Sequence, residues 1–176
     1  MNLPPKKIAS TRSFGQPITE LADLDEAVTE FASRAAVKLR KQSRLTSDVM
    51  CFIRTSPFRN DPQFSASTTV PLRRPSADTA VIVAAALFGL RNIHRQGFKL
   101  AKAGVMLLDL QRDTVQQAEL NLEDDHGTAT LRLMSAFDTL NQRYGQSTVM
   151  MASAGLAGDR RAWAMKQLRR TPACCR

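Results

Sequence analysis

The spacing of apolar residues switches between two periods along the first 112 residues, and the order of these switches constrains the fold. A two-residue period is typical of half-buried strands, whereas steps of three and four residues are typical of amphipathic helices. Helical spacing begins at Asp23 and again at Asp78, and the strand-like segments are residues 6–15, 48–54, 67–72 and 98–110. The resulting order, βαββαβ, predicts an α+β fold: an antiparallel or mixed four-stranded sheet with two helices on one face.

Local signals give the expected ends of these elements. Asp23 and Glu26 have the spacing of a capping box, which predicts the start of the first helix. Gly97 is expected just after the end of the second helix, because glycine adopts the backbone conformation that closes a helix. Pro71 predicts that the strand over residues 67–72 lies at a sheet edge, since proline cannot donate to a central ladder. The apolar run ending at Leu110 indicates a central strand.

The part of the chain after residue 112 predicts a smaller unit. A third helix is expected over residues 130–144 from the spacing of its apolar residues, followed by a short strand over residues 148–152. We therefore divide the chain into a main domain over residues 1–112, an acidic linker over residues 113–128 and a small extension over residues 129–176.

Charge is the outstanding feature of the composition. The 176 residues include 25 Lys and Arg against 16 Asp and Glu, a net charge of +9. Residues 1–112 contribute +8 of this charge (17 basic against 9 acidic), and residues 113–176 contribute +1 (8 against 7). Such an excess favours a polyanionic partner, either nucleic acid or an anionic membrane surface. We expect the binding surface in the first two-thirds of the chain.

Signals for secretion or membrane insertion are missing from the sequence. Residues 1–5 have no apolar core of the kind that a signal peptide needs, and the longest apolar run, residues 79–90, is too short to cross a bilayer. Three cysteines, two of them adjacent at positions 174 and 175, form no disulfide framework. We expect a cytoplasmic protein with no membrane partner.

The first strand-like segment carries unusual chemistry. Alternation places Ile8, Ser10, Arg12 and Phe14 on one side and Lys7, Ala9, Thr11 and Ser13 on the other. Neither side is fully apolar, so one side faces solvent or a ligand. Basic side chains, hydroxyls and backbone N–H groups are donors suited to phosphate oxygens. The alternative interpretation is an edge strand that its lysines keep soluble.

Catalytic and metal-binding patterns are missing as well. His94 and His126 have no metal-ligand spacing around them, and Cys51 is most simply a small core residue within a strand. No phosphate-binding loop, dinucleotide fingerprint or nucleophile elbow occurs. We expect no cofactor and no metal ion.

Several segments, in order, resemble one family of proteins. Pro4–Ile8 and Thr11–Gly15 resemble the start of the little-finger domain of Y-family translesion DNA polymerases, and most closely the catalytic subunit of DNA polymerase V (the UmuC/MucB/ImpB/RulB group). Arg54–Phe58 resembles the Lys-Thr-Ser-x-Phe segment of that group. Phe98–Leu107 resembles its Tyr-x-Tyr-Ala-Lys-Ala-Gly-Val-Met-Leu strand.

The resemblance continues into the second half of the chain. Leu133–Gly145 is similar to the helix of the extension that follows the little finger in this group. Trp163–Lys166, followed by Thr171-Pro172, is similar to the Trp-x-Met-Lys…Ser-Pro ending of that extension. The matches therefore span nearly all 176 residues.

The resemblance implies a little-finger fold that grips the backbone of primer–template DNA, with little sequence preference, in SOS translesion repair. Carried over residue by residue, it implies DNA contacts by Arg12, Ser13, Arg54 and Lys102. Charge alone adds Lys6, Lys7, Arg73, Arg74 and Lys99.

Two departures from the family pattern limit the expected activity. The fingers, palm and thumb, with their metal-binding acids, have no counterpart in these 176 residues, so we expect no polymerisation unless a separate chain supplies them. The clamp motif Gln-Leu-x-Leu-Phe is altered to Glu119–Glu123, which places carboxylates where the motif needs a glutamine and an aromatic ring. A looser six-residue pattern remains one register earlier and uses Gln117, Leu120 and Leu122.

Two further hypotheses therefore stand beside the DNA-binding one. The chain is a protein-interaction fragment that engages the sliding clamp or polymerase V accessory subunits, or it is a remnant of a disrupted polymerase gene without an independent role.

Overall fold

The structure is a computed structural model, and it describes residues 7–113, 126–155 and 163. Strands and helices follow one another in the order predicted from the sequence, βαββαβ, and a third helix follows them. The elements are β1 (Ile8–Ile18), α1 (Leu21–Arg40), β2 (Arg44–Thr55), β3 (Ser65–Ser76), α2 (Thr79–Ile93), β4 (Leu100–Arg112), α3 (His126–Tyr144) and a 3₁₀ helix, Ala152–Ala154. The predicted α+β class is confirmed.

The four strands form one sheet in the order β1-β4-β2-β3, and all three neighbouring pairs are antiparallel. The apolar strand β4 lies between β1 and β2, as its composition predicted. β3 lies at an edge, as Pro71 predicted, because the proline ring removes one ladder donor.

Helices α1 and α2 cover one face of this sheet, and the main core lies between the two layers. Alternate residues of β2 (Val49, Cys51 and Ile53) are fully buried beneath the helices. α1 packs on β1 and β4, whereas α2 packs on β2 and β3. Gly89 permits close approach of α2, because a Cβ atom built there would lie 3.1 Å from Thr68 Cγ2.

The observed starts of α1 and α2 can be compared with the capping residues that the sequence predicted. Asp78 is the N-cap of α2, and its carboxylate accepts a hydrogen bond from the Ala80 N–H at 2.8 Å. The capping box predicted at Asp23 is wrong, because α1 begins at Leu21 and Asp23 lies in its first turn. Leu21 packs partly buried against the core, which explains the earlier start. Glu20 is the N-cap residue, and its side chain makes no capping hydrogen bond.

Two further predictions of ends differ from the structure. α2 ends at Ile93, so Gly97, with a φ of 91°, lies in the turn before β4 rather than at the helix end. The strand predicted over residues 148–152 is absent from the described residues. Asn141 satisfies both backbone groups of Val149, accepting from its N–H at 2.9 Å and donating to its carbonyl oxygen at 3.0 Å. These bonds replace a strand partner.

The residues after α3 pack against α1. The 3₁₀ helix contacts α1, and Gly155, with a φ of 70°, lies against the Glu26 carboxylate. Trp163 is 2% exposed, and its ring meets that of Phe31 edge to face at 5.9 Å between centroids. The last described residue therefore belongs to the core between the sheet and helices α1 and α2.

Candidate nucleic-acid interface

The sheet has a second face, opposite α1 and α2, which we call the open face. Strand alternation and the pairing register assign its residues. It comprises Ala9, Thr11 and Ser13 of β1, Lys102, Gly104 and Met106 of β4, Met50, Phe52 and Arg54 of β2, and Ser65, Ser67 and Thr69 of β3.

A line of polar residues crosses all four strands at one end of the open face. Ser13 is opposite Lys102, Lys102 is opposite Arg54, and Arg54 is opposite Ser65. We call these four residues the basic row. Neighbouring strands lie about 4.8 Å apart, so the row is about 14 Å wide. Two cations therefore stand in the middle, with a hydroxyl at each end.

The two cations of the basic row face each other without a compensating acid. Like charges directly opposite on neighbouring strands are destabilising. Among the described residues, no carboxylate lies within ion-pair distance of Arg54 or Lys102. Lys99, just before β4, differs, because its ammonium is 3.1 Å from the Asp61 carboxylate. An anion bound between Arg54 and Lys102 would relieve their repulsion.

The middle of the open face is apolar and closely packed. A Cβ atom at Gly104 would lie 2.5 Å from Thr11 Cγ2 and 2.7 Å from Phe52 Cε1. The Phe52 ring therefore lies over the bare backbone of β4, and only glycine leaves it room. Met50 and Met106 are half-buried beside it. The face thus combines a packed centre with a charged end.

The structure brings together three of the residues predicted to contact DNA: Ser13, Arg54 and Lys102. Arg12 lies elsewhere, because it pairs with Ala103, a fully buried residue of the helix-covered face. The Arg12 side chain is exposed at the rim of that face.

The remaining predicted residues lie away from the basic row. Lys7 is exposed just before β1, at the end of that strand far from Ser13. Arg73 and Arg74 are exposed near the far end of β3, about 26 Å along the strand from Ser65. Lys6 and the clamp-motif residues Gln117, Leu120 and Leu122 lie outside the described residues.

Sequence reasoning missed Ser65, the fourth member of the basic row. The signal was present, because Ser65, Ser67 and Thr69 alternate along β3 and place three hydroxyls on one side. The predicted strand began two residues too late to include Ser65. The register that joins β3 to Arg54 depends on pairing between strands and has no local signature.

Among residues 7–113, 126–155 and 163, no three His, Cys, Asp or Glu side chains are grouped so that they could hold a metal ion. No helix in these ranges combines the length and the apolar character needed to cross a membrane.

An α+β domain with a basic, open sheet face is thus the class that fold and site define. Residues 5–120 match the impB/mucB/samB family C-terminal domain, and residues 131–175 match a domain of unknown function (DUF4113). Since the first match covers more than half of the chain, the chain belongs to the impB/mucB/samB family. This confirms the resemblance drawn from the ordered motifs.

Curated relatives agree with this assignment. The chain is 37% identical over 165 residues to Protein UmuC and 37% identical over 167 residues to Protein ImpB, both of Salmonella typhimurium, covering 92% and 93% of this chain. It is 34% identical over 172 residues to Protein SamB of the same organism, covering 97% of this chain. These alignments cover 38%, 38% and 40% of the relatives, so the chain spans about two-fifths of their length.

Proposed function

We propose that residues 7–113 form a DNA-binding module, the little finger of an error-prone translesion polymerase acting in the SOS response. The module grips the backbone of primer–template DNA without reading its sequence. The observation that carries this proposal is the basic row, in which Arg54 and Lys102 stand side by side on an open sheet face without an acidic partner among the described residues. Family membership supports the same assignment.

The dimensions of the basic row fit the backbone of a duplex. The row is about 14 Å wide, whereas the major groove of B-form DNA is about 12 Å wide. A sheet face of this width cannot enter the groove completely, so its ends meet the phosphates on both walls. Ser13 and Ser65 donate there through hydroxyls, while Arg54 and Lys102 supply charge. Backbone contacts of this kind position the protein and carry no sequence information.

Fluorescence anisotropy with a labelled primer–template duplex, across a salt series, tests the proposal. We expect binding that weakens steeply with salt and is similar for unrelated sequences. Replacing Arg54 or Lys102 by serine is expected to weaken binding at low salt. Each replacement is also expected to reduce the slope of log K against log salt by about 0.9, the value for one lost phosphate contact.

The matched controls remove the same charge on the other side of the molecule. Lys41→Ser acts at the exposed C-cap of α1, and Arg91→Ser acts at the outer end of α2. If all four variants lose affinity equally, net charge rather than the basic row governs binding. A folded wild-type protein that binds no duplex at low salt would refute the proposal.

A second candidate function, engagement of a protein partner, is favoured by the surface of α3. Leu133, Leu140 and Tyr144 follow one another at helical spacing, and all three side chains are exposed. We propose that this surface of α3 binds either the sliding clamp or the polymerase V accessory subunits. Co-purification with each purified partner, comparing wild type with Leu133→Ser/Leu140→Ser, tests this candidate. Equal retention of both proteins, or no retention of either, would remove it.

A further inference from the structure

The loop between β2 and β3 exposes a phenylalanine almost completely. Phe58 is 95% exposed, more than any other large apolar side chain in the described residues. Single apolar side chains are common on protein surfaces and need no special explanation. Phe58 differs because of how its loop is built and where the loop lies.

Side-chain hydrogen bonds brace the loop. The Gln63 amide nitrogen lies 3.0, 2.9 and 3.0 Å from the carbonyl oxygens of Ser56, Arg59 and Asp61, which share its two N–H donors. The Thr55 hydroxyl donates to the Gln63 amide oxygen at 2.9 Å. These bonds tie together the backbone on both sides of Phe58, and the Phe58 ring itself projects into water. A braced loop loses less backbone entropy than a mobile one when a ligand stacks on the Phe58 ring.

The loop emerges at the end of the sheet that carries the basic row. Arg54 precedes the loop and Ser65 follows it, and both belong to the row. Arg59, next to Phe58, is exposed and adds a further cation. An open groove of about 310 Å³ lies beside the loop, and its lining residues are Arg54, Thr55, Pro57, Gln63, Phe64 and Ser65.

We propose that Phe58 stacks on an unpaired nucleobase of the single strand that leaves the duplex held by the basic row. This inference rests on the proposed function, because the duplex positions the single strand. Every base has an aromatic face, so stacking on Phe58 is independent of the DNA sequence. Arg54 and Arg59 flank Phe58 in the chain and supply positive charge for the neighbouring phosphates. The partner is therefore single-stranded DNA at a duplex junction.

Binding to two duplexes, one blunt and one with a single-stranded thymine overhang, tests the inference. We expect wild type to bind the overhang duplex more tightly. Phe58→Ala is expected to lower affinity for the overhang duplex about tenfold, the effect of losing one stacked base, and to leave affinity for the blunt duplex unchanged. Phe88→Ala is the matched control, because Phe88 is 59% exposed on α2 and lies away from the open face.

A fluorescent variant gives a direct readout of stacking. In Phe58→Trp, the new indole is expected to be quenched when the overhang duplex binds, and not when the blunt duplex binds. Trp163 is buried and supplies a constant background, which the wild type measures. Phe88→Trp places an exposed indole away from the open face, so it controls for fluorescence changes that do not depend on contact with the overhang.

The outcomes separate this inference from the proposed function. If Phe58→Ala binds both duplexes as wild type does, the inference is wrong and the DNA-binding module stands. If wild type binds neither duplex, the proposed function is wrong, and Phe58→Trp is then titrated with a thymine oligonucleotide alone. Quenching in that titration would retain Phe58 as a stacking residue, and an unchanged spectrum would exclude it.

Discussion

At the scale of single residues, the DNA contacts proposed for Lys102 and Arg54 carry a cost in stability. Their repulsion across neighbouring strands opposes folding. Threonine at position 102 would remove the repulsion and also suits a strand. We expect Lys102→Thr to raise the free energy of unfolding by about 0.2–1 kcal/mol at low salt, measured by urea denaturation. The same variant is expected to bind DNA less well.

Salt and a double variant distinguish this repulsion from a general effect of the substitution. The gain is expected to shrink at high salt, since exposed charges are then screened. Adding Arg54→Thr to Lys102→Thr should give less than the sum of the two single gains, because one removal already abolishes the repulsion. A Lys102→Thr protein that is less stable than wild type at low salt would contradict this account.

Cys51 gives a prediction about pH. Burial raises the pKa of the Cys51 thiol from 9.0 to about 12, because the thiolate would lie in the apolar core. In the unfolded chain the thiol ionises at its ordinary pKa, so deprotonation favours unfolding. The contribution is fully present below pH 9 and is lost as the pH rises from 9 towards 12, with a limiting slope of about 1.4 kcal/mol per pH unit.

Denaturation across this alkaline range checks the prediction. We expect the free energy of unfolding to fall more steeply with pH in wild type than in Cys51→Ala, whatever the difference between them at pH 7. Other ionisable groups contribute equally to both proteins and cancel in the comparison. Parallel curves would show that the Cys51 thiol does not ionise on unfolding in this range.

At the scale of elements, one arginine joins three helices. The Arg40 guanidinium makes two hydrogen bonds of 2.7 Å to the Asp138 carboxylate of α3. It also donates to the Ala77 carbonyl oxygen at 2.8 Å and to the Thr79 hydroxyl at 2.9 Å, at the start of α2. The rigid fork of arginine suits these acceptors, and lysine would not reproduce it.

We therefore expect Asp138→Asn to weaken the attachment of α3. Hydrogen bonds to charged groups contribute about 1.5–3 kcal/mol, and the Arg40 side chain is only 12% exposed. Hydrogen exchange of the α3 amides should accelerate in the variant. Asp25→Asn is the matched control, since its partner Arg91 is 61% exposed at 3.3 Å and such a pair contributes at most about 1 kcal/mol. Equal effects of the two variants would contradict a special role for Arg40.

The strands and helices also show which features the sequence could predict and which it could not. Alternation in β1 correctly separated Ser13 from Arg12, because the side-chain period of a strand is fixed. Their roles were not separable, since both were matched to one motif. The basic row itself depends on the register among four strands, and nothing local determines how Ser13, Lys102 and Arg54 align. The start of α1 was missed because packing of Leu21 outweighed the capping signal at Asp23.

At the scale of the whole molecule, charge and packing divide the chain differently. Of the net charge of +9, +8 lies in residues 1–112, which include every residue of the basic row. Packing, in contrast, crosses the boundary between the two family matches. Trp163 lies within the second match and is buried against Phe31, which lies within the first. Trp163 of the second match therefore contributes to the core of the fold that carries the charge.

Trp163 makes this coupling measurable. Its ring is 2% exposed and lies edge to face with Phe31, so truncation leaves a cavity in the main core. We expect Trp163→Ala to lower the free energy of unfolding by about 3–5 kcal/mol, measured by denaturation that is followed by far-ultraviolet circular dichroism. Trp163→Phe should retain most of the stability, because a ring still meets Phe31. If Trp163→Ala loses protection from hydrogen exchange only in α3, and α1 and the sheet stay as protected as in wild type, the two matched segments fold independently.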